Sequence, residues 1–289
     1  MSALPTIVKE KHALRRLCDE ARREGRRVGF VPTMGALHEG HLSLIREARR
    51  AGADFFVVSI FVNPMQFGAN EDLDRYPRTF EADLKACEAE GVSLVFAPAP
   101  ETVYGPGFES HVEVEELSLP LEGAHRSGHF RGVTTVVTKL FNLVGPSIAV
   151  FGKKDLQQAL ILERMVRDLD MPIEIVLAPT AREGDGLALS SRNRYLSAEE
   201  RERGLSISRG LRGAYDAFHA GERALERLSA IVQEAIAPHA DSIDYAEVVH
   251  KSSLRAEGEG RDDLVGIVAA KFGTTRLIDN CIFAEDTRP

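Results

Sequence analysis

The segment Val31-Pro32-Thr33-Met34-Gly35-Ala36-Leu37-His38-Glu39-Gly40-His41 sets two imidazoles and two glycines where an apolar run gives way to a helical pattern. Backbone amides at a helix start can hold phosphate oxygens, and His38 and His41, three apart, fall on the same side of the first turn. Imidazole donors beside a phosphate offset charge as it develops at phosphorus. Two structural histidines, or a zinc site, would use the same residues. A HExxH zinc helix, however, spaces its histidines i, i+4, and this pair is i, i+3.

Three further segments carry donors. Val62-Asn63-Pro64-Met65-Gln66-Phe67 places an amide, Gln66, just after a second apolar run, where it could orient a hydroxyl or a carboxylate; an exposed turn glutamine is the alternative. Phe151-Gly152-Lys153-Lys154-Asp155-Leu156-Gln157-Gln158 again puts glycine and charges at a helix entrance. A lysine there can neutralise phosphate and an aspartate can cap the helix or bind a ribose hydroxyl, against the alternative of a solvated charged turn. Asp185-Gly186-Leu187-Ala188-Leu189-Ser190-Ser191-Arg192-Asn193 offers two hydroxyls and a guanidinium in succession, suited to a phosphate clamp or, more plainly, to an N-cap and a surface arginine.

The elements that must position these residues follow from hydrophobic period. Strands are expected at Val28 to Val31, Phe55 to Val62, Leu94 to Ala97 and Ile148 to Phe151, and helices at Leu42 to Arg50, Phe80 to Glu90 and Val133 to Val144. Short β-branched runs alternating with amphipathic stretches predict a doubly wound α/β domain with a buried parallel sheet. In such a domain the segments after Val31, Val62 and Phe151 share the crevice at the strands' carboxyl ends. After Gly184-Asp185-Gly186 the pattern changes. Ser197 with Glu200 forms a capping-box signature before a helical run towards Phe218; a second helix spans about Glu222 to Ala237. Strands at Ile243 to Val249, Leu264 to Ala270 and Arg276 to Phe283, with a polar turn from Glu257 to Asp263, predict a small α+β domain. The expected division is 1–184 and 185–289.

Composition excludes several classes. The chain has 289 residues, 44% hydrophobic and 28% charged, enough for about two globular domains. A net charge of −8 argues against general nucleic-acid binding, so an anionic ligand must meet a local cluster of donors. Three dispersed cysteines, Cys18, Cys87 and Cys281, match neither a CxxC site nor a disulfide framework and suit a reducing cytoplasm. The chain shows neither a secretory leader pattern nor an apolar run of membrane-spanning length, so no membrane association is expected.

His-x-Gly-His after a strand resembles the signature of the nucleotidylyltransferase superfamily. Taken together and in this order, Pro32 to His41, Phe61 to Phe67, Gly152 to Gln158 and Leu189 to Asn193 resemble the pantothenate synthetase (pantoate:beta-alanine ligase) family, with Ile243-Asp244-Tyr245 and Arg276-Leu277-Ile278-Asp279-Asn280 extending the likeness. The resemblance implies a Rossmann-like first domain that binds ATP and pantoate, a smaller C-terminal lid domain, and a magnesium-dependent cytoplasmic homodimer. It implies condensation of pantoate with beta-alanine through a pantoyl adenylate, releasing pyrophosphate and AMP. It assigns ATP contacts to Met34, Gly35, Ala36, Leu37, His38, Glu39, Gly40, His41, Gly152, Lys153, Lys154, Asp155, Ala181, Leu189, Ser190, Ser191 and Arg192. His41, with His38, Lys154 and Arg192, is placed in catalysis, Gln66 at pantoate and beta-alanine, and Gln158 at pantoate, with Mg²⁺ held mainly by the ATP phosphates. One position departs: the family usually has Glu where this chain has Lys153. Closure of the C-terminal domain, or of Gly68 to Asp74, would protect the adenylate from water. The competing readings are a nucleotidylyltransferase acting on a phosphorylated acceptor, which needs a second basic pocket where Gln66 and Gln158 are neutral, and a catalytically silent ATP-binding regulator.

Overall fold

The computed structural model describes residues 4–68, 71–257 and 262–289. A six-stranded, wholly parallel sheet runs in the order β1-β4-β3-β2-β5-β6, with β1 Thr6–Val8, β2 Val28–Thr33, β3 Phe55–Ile60, β4 Leu94–Phe96, β5 Ser147–Gly152 and β6 Ile173–Ala178. The helices are α1 Lys11–Arg23, α2 Glu39–Arg50, α3 Phe80–Ala89, α4 Pro100–Val103, α5 Glu122–His125, α6 His129–Val144 and α7 Leu156–Asp168.

Alternation along the strands feeds two cores. Val28, Phe30 and Val57 pack with Leu14 of α1, Val133 and Leu140 of α6 and Leu162 and Met165 of α7; Val31, Val58 and Val95 pack with Leu44 and Ile45 of α2 and Cys87 of α3. A strand buried on both faces cannot alternate apolar with polar residues, which is why β2 and β3 read as continuous apolar runs. Each fully buried Leu or Phe here contributes about 1.5–3 kcal/mol. The chain leaves β2 for β3 on one side and returns to β2 through β5 on the other, so a switch point opens at the carboxyl end of β2.

The α/β expectation holds, and each expected strand of the first half is present within two residues of its expected ends. Two strands were not legible. Thr6–Val8 is three residues long, too short for a period, and Ile173–Ala178 lies at the sheet edge, where partial exposure breaks up its apolar run.

The chain divides into two compact units: 1–118, 126–152 and 158–178 form the first, and 119–125, 153–157 and 179–289 the second. The second unit contains α8 Ala198–Gly204, α9 Ser206–His219, α10 Leu225–Ile236 and an antiparallel sheet of β7 Ser242–His250, β8 Leu264–Phe272 and β9 Thr275–Ile282. The Ser197–Glu200 capping box is formed in both directions, at 3.2 and 2.7 Å. The helical run towards Phe218 is two helices, α8 and α9. Of the polar turn expected at Glu257 to Asp263, residues 258–261 lie outside the described residues, as do residues 69–70 of the stretch Gly68 to Asp74. No helix among the described residues is long and apolar enough to cross a membrane.

Candidate active site

In the first unit the loop after β2 doubles back through two left-handed residues, Gly35 at φ +84° and Ala36 at φ +51°. A side chain incurs strain at such a φ, so Ala36 must be held there. Asp83 on α3 does this. Its buried carboxylate accepts the amides of Ala36 at 3.0 Å and Leu37 at 2.8 Å, and the Thr79 hydroxyl at 3.1 Å. Thr33 closes the turn from the other side, its hydroxyl accepting the Gly35 amide and donating to the Ser59 carbonyl.

These bonds change the role of the loop. From Gly35 to His38 every amide has an acceptor within the chain, the last being His41 Nδ1 at 3.3 Å. The amides of Gly35 to His38 are therefore engaged in shaping the loop that leads into the helix. The His38 and His41 rings lie 4.1 Å apart at 36°. Because Nδ1 of His41 accepts a backbone N–H, a neutral ring carries its proton on Nε2, one donor at a set position. Among the described residues no three His, Cys, Asp or Glu side chains gather at a point that could hold a metal ion, so the zinc alternative for this pair has no third ligand there. Exposed Glu39 pairs with Arg46.

After β3, Asn63 is 1% exposed and fully used: it donates to Gln66 Oε1 at 3.0 Å and the Gly132 carbonyl at 3.2 Å, and accepts from Tyr104 at 2.7 Å and the Met65 amide at 3.3 Å. Gln66 is thereby oriented with its oxygen committed to Asn63 and its NH₂ turned towards Met34 sulfur, 3.4 Å away. Gly132 lets α6 approach this turn; a Cβ there would stand 2.3 Å from the Met65 carbonyl oxygen. A cavity of about 220 Å³ lies alongside, lined by Gln66, Glu71, His129, Arg131 and Gly132 among others. Burial would raise the Glu71 carboxyl, but Arg126, at 2.8 and 2.6 Å, outweighs it and holds the group below its ordinary value. His129 Nδ1 meets the Gln66 carbonyl at 2.8 Å. Gln158, half-buried, also belongs to this unit, as does Gly152 at the end of β5.

The other expected site residues belong to the second unit. The turn Lys153–Asp155 follows β5, with Lys154 half-buried and Asp155 exposed. The Lys153 ammonium binds Asp286 at 2.8 Å and lies 3.6 Å from Glu285. The Ala181 carbonyl accepts the Leu189 amide at 2.9 Å, so a backbone contact from Ala181 to a ligand has to avoid that bond. Ser190 caps the turn Ser191–Tyr195, its oxygen accepting the Arg192 amide at 3.2 Å, which realises the N-cap alternative while its own O–H can still donate. Gln157, unlike Gln158, is buried and structural: it accepts from the Glu122 amide and donates to the Pro120 carbonyl.

Sequence reasoning did not single out Asp83, Asn63, Gly132, Glu71, Arg126 or His129. Gly132 was findable, since a glycine inside a helical pattern signals close backbone approach. Asp83 was not, because the amides it holds are 46 and 47 residues away.

Residues 6–282 match the family model of pantoate-beta-alanine ligase. This chain belongs to the pantoate-beta-alanine ligase family. It is 52% identical over 279 residues to pantothenate synthetase 1 of Bradyrhizobium diazoefficiens, covering 96% of this chain and 98% of that one, and 50% identical to the pantothenate synthetase of Geobacter sulfurreducens over 92% and 94%. The crystal structure of the Thermus thermophilus enzyme superposes with a TM-score of 0.91 at 45% identity, covering 96% of this chain and 99% of that one. The Francisella tularensis pantoate-beta-alanine ligase, solved with beta-gamma ATP and beta-alanine, gives 0.77 at 29% identity over 98% and 99%. Pantoate-beta-alanine ligases are enzymes of the ligase class, and the resemblance carried by the four segments is thus a full-length family relationship.

Proposed function

We propose that this chain joins pantoate to beta-alanine at the expense of ATP, forming pantothenate through a pantoyl adenylate. The observation that carries the reading is the family match over residues 6–282, and the ordered loop at His38 and His41 agrees with it. In the first step a pantoate carboxylate oxygen bonds to the α-phosphorus and pyrophosphate leaves. In the second the beta-alanine amine bonds to the acyl carbon, and AMP leaves carrying one of the original carboxylate oxygens.

A carboxylate approaching a triphosphate is repelled, so the protein must orient both groups and cancel charge. His41 donates from Nε2, and Lys154, Arg192, Ser190, Ser191 and His38 supply further donors to the nucleotide. The remaining ATP contacts come from Met34 to Gly40, Gly152, Asp155, Ala181 and Leu189. Gln66, with its oxygen held by Asn63, offers NH₂ donors to pantoate and stands near the beta-alanine position; Gln158 adds a second neutral amide for pantoate. Magnesium arrives with ATP as the substrate MgATP, a mode that suits a hard ion which keeps several waters and needs few protein ligands. In this reading residues 1–184 carry the pantoate contacts and most of the ATP contacts, Leu189 to Arg192 add the rest, and 185–289 act as the lid that shields the adenylate from water. The three cysteines are buried free thiols, which fits work in the reducing cytoplasm, and the assembly we propose is a homodimer, on the family resemblance.

Labelled pyrophosphate should enter ATP when the enzyme receives MgATP and pantoate without beta-alanine, and AMP should form in step with amide once the amine is added. No pantoate-dependent exchange, with ADP in place of AMP, would falsify the adenylate route and point to phosphoryl transfer.

A further inference from the structure

Lys153, the one position where this chain departs from the motif expected on the resemblance, stands next to the lysine assigned above to the phosphates. Its ammonium is not extended towards solvent. Only 15% of the side chain is exposed, and Nζ sits 2.8 Å from Asp286 Oδ1 and 3.6 Å from Glu285 Oε2. Glu285 is itself anchored by Lys251 at 2.5 Å. The other Asp286 oxygen accepts the Ile282 amide at 2.8 Å, and the Asp286 amide returns to the Ile282 carbonyl at 2.9 Å, so the acceptor of the lysine is fixed at the end of β9.

A second anchor acts on the same turn. Asn280, 2% exposed on β9, donates its NH₂ to the carbonyls of both Lys153 and Lys154, each at 2.8 Å. Two consecutive carbonyls and one side chain of a three-residue turn are therefore tied to β9 and the turn after it. That is more restraint than an exposed charged turn needs. Burial would lower the Lys153 ammonium, but the two carboxylates outweigh it and hold it charged well into the alkaline range.

We propose that Lys153 and Asp286 form a positioning pair which, together with Asn280, sets the turn that carries Lys154, so that Lys153 acts through its neighbour instead of touching ATP. This rests on the assignment of Lys154 to adenylation. In this chain the Lys153 side chain clasps the C-terminal turn, and a Glu placed there would face Asp286 and Glu285 and open the clasp.

Asp286→Asn, Lys153→Glu and the double variant Lys153→Glu/Asp286→Lys test the pair by pantoate-dependent pyrophosphate exchange, with melting temperatures recorded for each. Asp286→Asn keeps the acceptor for the Ile282 amide and removes only the charge. A small displacement of a positioned charge costs up to about a hundredfold, and a loosened clasp should lose roughly three- to tenfold in kcat with the KM for ATP within about twofold. Lys153→Glu should lose more, and the swap should recover part of that loss, since it restores the opposite charges but not the acceptor for the Ile282 amide. A rise in the KM for ATP with kcat unchanged would overturn the proposal and place Lys153 on the nucleotide; so would full activity in both single variants. A second readout is independent of turnover. Amide hydrogen exchange at Lys153 to Leu156 in the ligand-free protein should quicken in the single variants and slow again in the swap. Unchanged protection would remove the clasp even if the wild type proved inactive in exchange, whereas inactivity with changed protection would count only against the adenylate reading.

Discussion

His41 is the residue whose geometry bears most directly on the chemistry. With Nδ1 accepting the His38 amide, a neutral ring carries its proton on Nε2. Losing that donor beside a developing phosphate charge should slow pantoate-dependent exchange at least about tenfold, and Lys154→Ala should do the same, with the fold intact by circular dichroism. Gln66 behaves differently because only its NH₂ remains for a ligand. Gln66→Ala removes a hydrogen bond of about 0.5–1.5 kcal/mol, so the KM for pantoate should rise roughly two- to twelvefold. Gln66→Glu keeps the acceptor for Asn63 but sets a carboxylate towards a carboxylate substrate, and should be the worse of the two. Equal effects in the two variants would show that Gln66 does not face the substrate's charge. Both assignments came from the family resemblance, whereas which ring nitrogen accepts the His38 amide and which end of the Gln66 side chain Asn63 holds came from the folded chain.

At the scale of elements, two contacts hold the loops in place. Asp83→Ala strips the Ala36 and Leu37 amides of their buried acceptor, at a cost of about 1–3 kcal/mol each, less whatever water recovers. Chemical denaturation should show this as a lower midpoint with little change in slope. The strained φ at Ala36 should relax as well, so ATP binding should weaken in the folded protein. Gly132→Ala attacks the other loop. A methyl 2.3 Å from the Met65 carbonyl must push α6 away from the Gln66 turn, costing about 1–3 kcal/mol and raising the KM for pantoate more than that for ATP. A uniform effect on both constants would mean that the strain spreads beyond the turn.

For the whole molecule, charge pairing sets the response to pH. Burial opposes the ionised forms of Glu71, Asp263 and Glu285, but Arg126 at Glu71, His250 with Ser252 at Asp263, and Lys251 with Lys153 at Glu285 hold all three below their ordinary values, 4.5 for Glu and 3.8 for Asp. A carboxyl depressed in the folded state stabilises the fold above its unfolded pKa, and that stabilisation fades as pH falls through the folded value. Melting temperature should therefore change little from pH 7 to 5 and drop steadily below about pH 4.5. A flat profile down to pH 3 would count against these pairs. Cys18, Cys87 and Cys281 are pushed up to about 12 by burial, so the native protein should react slowly with a thiol reagent and release three equivalents only on denaturation.

The α/β architecture is legible along the chain, because a two-faced buried strand must be apolar throughout and an amphipathic helix must repeat near 3.6 residues; both patterns are local. The family and the residue types of the candidate site are legible there too, since Pro32 to His41, Gly152 to Gln158 and Leu189 to Asn193 are contiguous and their chemistry is in the side chains themselves. What holds those groups in place is visible only in the folded chain. Asp83 lies on α3, Asn280 on β9 and Asp286 beyond it, dozens of residues or more from the turns they restrain. A hydrogen bond between distant segments leaves no periodic trace in the chain, since its partner is selected by how strands and helices pack. The sequence could therefore name Lys153 as unusual, and only the folded chain could show that its charge is engaged by the C-terminal turn.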